Sequence, residues 1–153
     1  MKTRRMLWFF LTAASVVFAS TDVWADEQDK SAGDAIVGKW WFPERNGQLE
    51  IRRENGQYVG TVIAYYDPNA IDDANPDPKL AKRKFVGIEM LSGFKYNPKK
   101  EHWAGGTVYD GKSGKTYRGT LWFKNDDTSK LFARGYARVS LVGRTETFVR
   151  VTK

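Results

Sequence analysis

From Ile36 onward, apolar and polar residues alternate in short runs separated by Gly, Asn, Asp and Pro. This is the pattern of β-strands joined by tight turns. Leu49 to Glu54 alternates and ends in Asn55-Gly56, a dipeptide that favours a two-residue hairpin. Gln57 to Tyr66 (QYVGTVIAYY) is β-branched and aromatic, as the partner strand across that turn should be. Lys115 to Lys124 sets Tyr117, Gly119, Leu121 and Phe123 on one face and Thr116, Arg118 and Thr120 on the other, with Trp122 on the otherwise polar side. Leu131 to Leu141 aligns Leu131, Ala133, Gly135, Ala137, Val139 and Leu141. A bend at Val142-Gly143-Arg144 then leads into a last strand from Glu146 to Val151. No stretch has a helical period, although Asp77 to Lys84 has room for one helical turn with Pro78 at its start. About eight to ten strands at this spacing predict an all-β fold, a single antiparallel and mostly up-and-down barrel over residues 36–153. Gly60, Gly87, Gly119 and Gly135 suit the tight bends of a small barrel.

The first 25 residues differ in kind. Lys2, Arg4 and Arg5 precede an apolar run over 6–19, and Val23-Trp24-Ala25 offers small residues for signal peptidase. A cleaved leader over 1–25 is therefore predicted, with export to the periplasm or beyond. The arginine pair faintly resembles a twin-arginine signal but sits very early, which favours general secretion. The apolar run is shorter than the roughly 20 residues that span a bilayer, so a membrane-spanning protein is not expected. Residues 26–35, beginning DEQDKSAGD, are polar and read as a flexible tether. With no cysteine in the chain, disulfides, thiolate metal sites and a lipid anchor on Cys are excluded. Loss of the leader removes three basic residues and one acidic residue, so the net charge falls from +7 to +5. The mature chain stays basic, which suits either a solvated surface or an anionic envelope partner.

Candidate chemistry is sparse. GTVYDGKS (106–113) satisfies the phosphate-loop pattern, with Gly106, Gly111, Lys112 and Ser113 in place. That pattern works only where a strand delivers a glycine turn into a helix N-terminus. Here the following GKTYRGTLWF alternates as a strand, so Asp110 to Lys115 reads as a hairpin loop and no nucleotide or other cofactor is expected. Asp67, Asp72, Asp73 and Asp77 crowd one loop, but the order fails as a calcium loop, with Ile71 at the fifth position and Asp72 where Gly is needed. The loop reads as proline-stiffened, with Asp and Asn capping turns and no metal site. His102 is the only histidine and lies beside Lys99, Lys100 and Glu101, so a catalytic triad would rest on it alone. Carboxylate pairs such as Asp67 with Asp110 stay open, and no catalytic residue is assigned. The many aromatic residues either fill the barrel or line a cavity for an apolar or amphipathic ligand. Basic residues among aromatics also suit single-stranded nucleic acid, but export argues against that partner.

Gly38-Lys39-Trp40 resembles the G-x-W signature of the lipocalin-like (calycin) superfamily, and Arg150 matches the basic residue that packs across that tryptophan. The resemblance implies a cation–π contact closing the barrel floor. Nearly the whole mature chain resembles the exported bacterial family called domain of unknown function 2147. The matching stretches are IVGKW (36–40), NPDPKL (75–80), GFKY (93–96), WAGGTVYDGKSGKTYRG (103–119), GYARVSLVGRT (135–145) and FVRV (148–151). The chain departs from the family pattern at Lys84, where proline is usual, and at Phe148, where tryptophan is usual. It also lacks the cysteine often found near Val59. The resemblance implies a periplasmic lipocalin-like barrel and supplies no activity.

The combined expectation is a monomeric, non-catalytic exported barrel holding a small hydrophobic or amphipathic ligand. Lys82, Arg83, Lys84, Arg144 and Trp122 are placed at its mouth to meet an acidic head group. The alternatives are a filled barrel acting as an envelope protein–protein or anionic-surface module, and an enzyme acting on envelope carbohydrate through loop carboxylates.

Overall fold

The computed structural model describes residues 32–137 and 143–152. The expected leader and most of the expected tether lie outside these residues, as do Val139 and Leu141. Eight antiparallel strands close into one up-and-down barrel. They are β1 (Gly38–Trp41), β2 (Gly47–Glu54), β3 (Gln57–Tyr65), β4 (Glu89–Asn97), β5 (His102–Asp110), β6 (Lys115–Lys124), β7 (Asp127–Tyr136) and β8 (Gly143–Arg150). Each strand pairs with the next, and β8 returns to β1 with Trp40 opposite Arg150 and Trp41 opposite Val149. Closure leaves no free sheet edge.

The turns follow local chemistry. Asn55 and Gly56, at φ 50° and 77°, form the primed turn between β2 and β3. Asn125 and Asp126, at φ 53° and 58°, do the same between β6 and β7. That second turn starts β7 at Asp127, four residues before the alternation of apolar side chains becomes visible at Leu131. The strands expected over 115–124 and 57–66 are found as β6 and β3.

One end of the barrel is sealed. Trp40 is fully buried, and its Nε1 donates to Ile36 O at 2.8 Å. The Arg150 guanidinium lies 4.1 Å from the centre of the Trp40 ring. It donates to Thr128 O (2.9 Å), Val37 O (3.1 Å) and Ala35 O (2.6 Å). Gly38 sits between these partners at φ 132°, where a Cβ would fall 3.1 Å from Arg150 Nη1. Its signature position thus reflects both backbone conformation and the passage of the guanidinium.

A short 3₁₀ turn over Asp34–Ile36 forms the plug itself. Trp103 Nε1 donates to Gly33 O at 2.9 Å, and the Tyr58 hydroxyl donates to Asp34 Oδ1 at 2.9 Å. Burial, and then Asp34, push the Tyr58 phenol well above its usual range, so it remains a donor. The tether expected over 26–35 therefore needs correcting at its C-terminal end. Residues 33–35 are structural, because backbone carbonyls that a free tether would give to water are claimed here by Trp103 and Arg150.

Above the plug the barrel is packed solid by Trp40, Ile51, Phe94, Trp103, Leu121 and Leu131. Trp103 meets Phe123 edge-on at 5.3 Å and Tyr96 at 5.0 Å. Phe94 fits because Gly106 and Gly119 face it, where a Cβ would approach its ring to 2.6 Å or less and 2.7 Å respectively. These strand glycines make room for a ring, whereas Gly87 lies outside the strands in a turn.

Arg150→Ala is expected to lower stability by about 2–4 kcal/mol, because three carbonyl partners and the ring face lose one charged donor. Arg150→Lys should recover only a minor part, since an ammonium lacks the planar fork. Urea unfolding of the two variants checks both statements.

Candidate ligand-binding cavity

The opposite end of the barrel is open. The β1–β2 loop, the long β3–β4 connection (66–88), the β5–β6 turn and the end of β7 surround a cavity of about 1010 Å³. Its walls are apolar and aromatic, formed by Phe42, Tyr65, Phe85, Val108, Ala133 and Phe148. Tyr65 stands 4.6 Å from Phe85 and 6.4 Å from Phe42, which in turn meets Phe148 edge-on at 6.2 Å. Burial raises the pKa of the Tyr65 hydroxyl. Aromatic residues occupy both halves of the barrel. Rings fill the floor, and rings line a hollow above it.

The β3–β4 connection forms one wall of this opening and has a definite structure of its own. It doubles back as a ribbon, with Asp72 N donating to Arg83 O (3.1 Å) and Phe85 N to Ala70 O (2.9 Å). In NPDP, Asn75 Oδ1 accepts from Asp77 N at 3.0 Å and Asp77 Oδ1 from Lys79 N at 2.9 Å. These are two successive Asx turns across prolines. Ala81 N then reaches Asp77 O at 2.9 Å, the single helical turn expected there.

Asp72 locks the ribbon, and the reading of this loop's Asp side chains as turn caps is corrected at this one residue. Asp72 is fully buried. Its carboxylate accepts from Asn75 Nδ2 (2.8 Å), Arg83 Nε (3.0 Å), Arg83 Nη2 (2.9 Å) and the Tyr109 hydroxyl. Four donors from two segments are what a buried carboxylate requires. Burial, and then Asp72, raise the pKa of the Tyr109 phenol. The sequence signal was present only as Asp72 flanked by many other carboxylates, and nothing in that order distinguishes a buried one.

The phosphate-loop look-alike is the other half of this lock. Asp110 caps its own turn, accepting from Lys112 N (3.0 Å) and Ser113 Oγ (2.7 Å). Gly114 has φ 65°, and a Cβ there would lie 1.9 Å from Ala74 O. A Cβ at Gly111 would lie 2.3 Å from the Phe85 ring. The glycines let the turn press against the ribbon, β6 follows directly with no helix, and Lys112 Nζ pairs with Glu44.

The residues expected at the mouth are placed variously. Arg144 lines the cavity and pairs with Glu146. Lys82 is exposed on the ribbon and does not line the cavity. Arg83 is turned onto Asp72. Lys84 donates to the rim residue Asn69 at 3.0 Å. Trp122 lies off the cavity lining, stacked on Phe132 at 5.7 Å and 19°. The register sets it opposite His102, near the sealed end. His102 is likewise remote from the cavity, and burial and Lys100 lower its pKa. Asp67 and Asp110 both line the cavity.

Among the described residues, the charged groups lining the cavity are the carboxylates Glu44, Asp67, Asp73, Asp110 and Glu146 and only two cations, Lys112 and Arg144. Both cations already have carboxylate partners. In a basic protein the lining is acidic. No group of three or more His, Asp or Glu side chains suited to a metal occurs among the described residues.

Residues 38–150 match the family model described as "Uncharacterized protein conserved in bacteria (DUF2147)". The chain belongs to this family. No curated protein matches the DUF2147 chain. A solved structure does: protein HP1028 from Helicobacter pylori, described as belonging to the lipocalin family, is 25% identical. The match has a TM-score of 0.65 and covers 76% of this chain and 83% of that one. This DUF2147 protein therefore has a lipocalin-like barrel, consistent with a small-ligand binder.

Tyr109→Phe is expected to cost about 1–2 kcal/mol and Asp72→Ala about 2–4 kcal/mol. In both variants, protease cleavage should rise within 66–88 before the barrel unfolds. The Lys112 ammonium holds the Glu44 carboxyl below its usual range. The contact is therefore present above the ordinary carboxylate pKa and is lost as pH falls through the depressed one. Lys112→Ala should move the Glu44 titration, followed by NMR, back upward.

Proposed function

We propose that this DUF2147 protein is an exported, monomeric and non-catalytic binder of one small apolar or amphipathic molecule. The observation that carries the reading is the cavity of about 1010 Å³ with aromatic walls above a solid floor. Ligand sites in proteins typically measure about 300–1,000 Å³ and combine apolar walls with a few polar groups at the rim. The leader-like first 25 residues support export. A filled barrel acting only through its outer surface fits less well, because the upper half is empty. Catalysis on carbohydrate also has less support. Asp77 and Asp110 are engaged in capping turns, and the only histidine lies near the far end.

The acidic lining changes the ligand expected from sequence. An anionic head group would meet carboxylates, whereas a neutral or cationic end is tolerated or attracted. A neutral naphthylamine fluorophore is expected to bind saturably and several-fold more tightly than an anionic naphthalene sulfonate probe. Gly135 lines the cavity, and a Cβ there meets only Tyr117 at 3.4 Å. Gly135→Phe should therefore fill the hollow, weaken probe binding at least tenfold and leave the fold intact. Absence of saturable binding of either probe, or equal binding by Gly135→Phe, would overturn the reading.

A further inference from the structure

One corner of the cavity is walled by aromatic rings and bordered by carboxylates. The Tyr65 ring lies 4.7 Å from Tyr66 at 58°, 4.6 Å from Phe85 at 51° and 6.4 Å from Phe42 at 59°. None of these pairs is stacked, so the ring faces are not used up on one another. All four rings line the cavity. Phe42 and Phe85 also serve the core, but Tyr66 is 74% exposed, the most exposed large hydrophobic among the described residues. Packing does not require a ring there.

Charge at the same corner is negative. Glu44 follows Phe42 by two residues and Asp67 follows Tyr66 directly, and both line the cavity. Burial contributes most to raising the pKa of the Tyr65 hydroxyl, and the charges of Lys112, Glu44 and Asp67 act on it as well. All three charges are therefore within electrostatic reach of this corner. Lys112 is neutralised by Glu44, so Asp67 leaves the corner with a net negative charge. Asp67 Oδ1 accepts from Asn69 N at 2.8 Å, and among the described residues Asp67 has no cation partner. Nor do the described residues bring together three His, Asp or Glu side chains suited to a metal ion. The cation that fits is thus organic. Ring faces attract a cation that is weakly hydrated, and an N-alkylated ammonium needs no hydrogen-bond acceptors of its own.

We propose that Phe42, Tyr65, Tyr66 and Phe85, with Glu44 and Asp67, form a head-group site for an alkylammonium, and that the ligand is a cationic amphiphile. Its chain lies along the apolar walls below, and its head stays at the mouth among the rings. The assignment rests on the cavity holding a ligand at all, and it adds which end of that ligand is recognised and by what.

The test is displacement of the neutral naphthylamine fluorophore from the mature protein by three probes of one chain length. They are decyltrimethylammonium, decyldimethylamine oxide and decyl sulfate, each at neutral pH and below its micelle concentration. The amine oxide has nearly the shape of the ammonium head but no net charge. The ammonium is expected to displace the fluorophore at concentrations at least fivefold lower than the amine oxide, with decyl sulfate the weakest. One ring face and one exposed carboxylate each contribute about threefold to such a preference. Tyr66→Leu should therefore lower the preference for ammonium over amine oxide about threefold, whereas Tyr66→Phe, which keeps the ring, should preserve it. Asp67→Asn keeps an oxygen for Asn69 N and should also lower the preference about threefold. Both positions are exposed and lie outside the core, so the barrel tolerates these changes. Equal displacement by the ammonium and the amine oxide overturns the head-group assignment, as does displacement by none of the probes. A preference unchanged in Tyr66→Leu or in Asp67→Asn overturns it too. Saturable binding of the fluorophore itself reports on the cavity reading, so the two failures are read separately.

Discussion

The barrel depends on one guanidinium. Arg150 ends the last strand, stacks on Trp40 of the first, and donates to three backbone carbonyls at the floor. A closed sheet needs its first and last strands joined, and in this chain that seam is short, with β1 only four residues long. The arginine supplements two cross-strand pairs with a planar, multiply bonded clamp. It does so while holding the 3₁₀ plug over the end, so seam and floor share one side chain. Trp103 and Tyr58 add bonds from strands on the other side, which fixes the plug from several directions.

With one end sealed and solid, the shape of the other follows from residue size. Large rings crowd the lower barrel, and paired glycines on β5 and β6 admit Phe94. Higher up, β7 presents Ala133 and Gly135 inward, too small to reach across. The rings that remain there, including Phe42, Tyr65 and Phe148, stand around the wall. A hollow results, with apolar rings and charged groups both in its lining. Water has little to bond with along the rings themselves, so an apolar ligand gains most against them.

The mouth is held by a different kind of force. Asp72, buried without solvent, is compensated by donors from its own ribbon and from Tyr109 on β5. A carboxylate in that position is unfavourable unless every partner is present, so the ribbon is either locked or substantially undone. The β5–β6 turn presses against it through Gly111 and Gly114. Around the opening, among the described residues, five carboxylates outnumber two cations.

Strand positions, hairpin turns and the barrel class were readable from the chain, because they depend on period-two alternation and local turn chemistry, whereas the Gly38, Trp40 and Arg150 constellation was implied by the resemblance to lipocalin-like barrels. GTVYDGKS was correctly a hairpin for the same reason, since no helical pattern follows it. The boundary of the tether, the burial of Asp72 and the place of Trp122 were not readable. Each depends on which distant segment lies alongside, and a polar residue in a loop looks the same whether water or Tyr109 meets it. Thus the local pattern by itself determined an antiparallel, mostly up-and-down barrel of about eight to ten strands. Only the tertiary structure decided that the upper half is hollow and acid-lined, because volume and net field are sums over residues far apart in the chain.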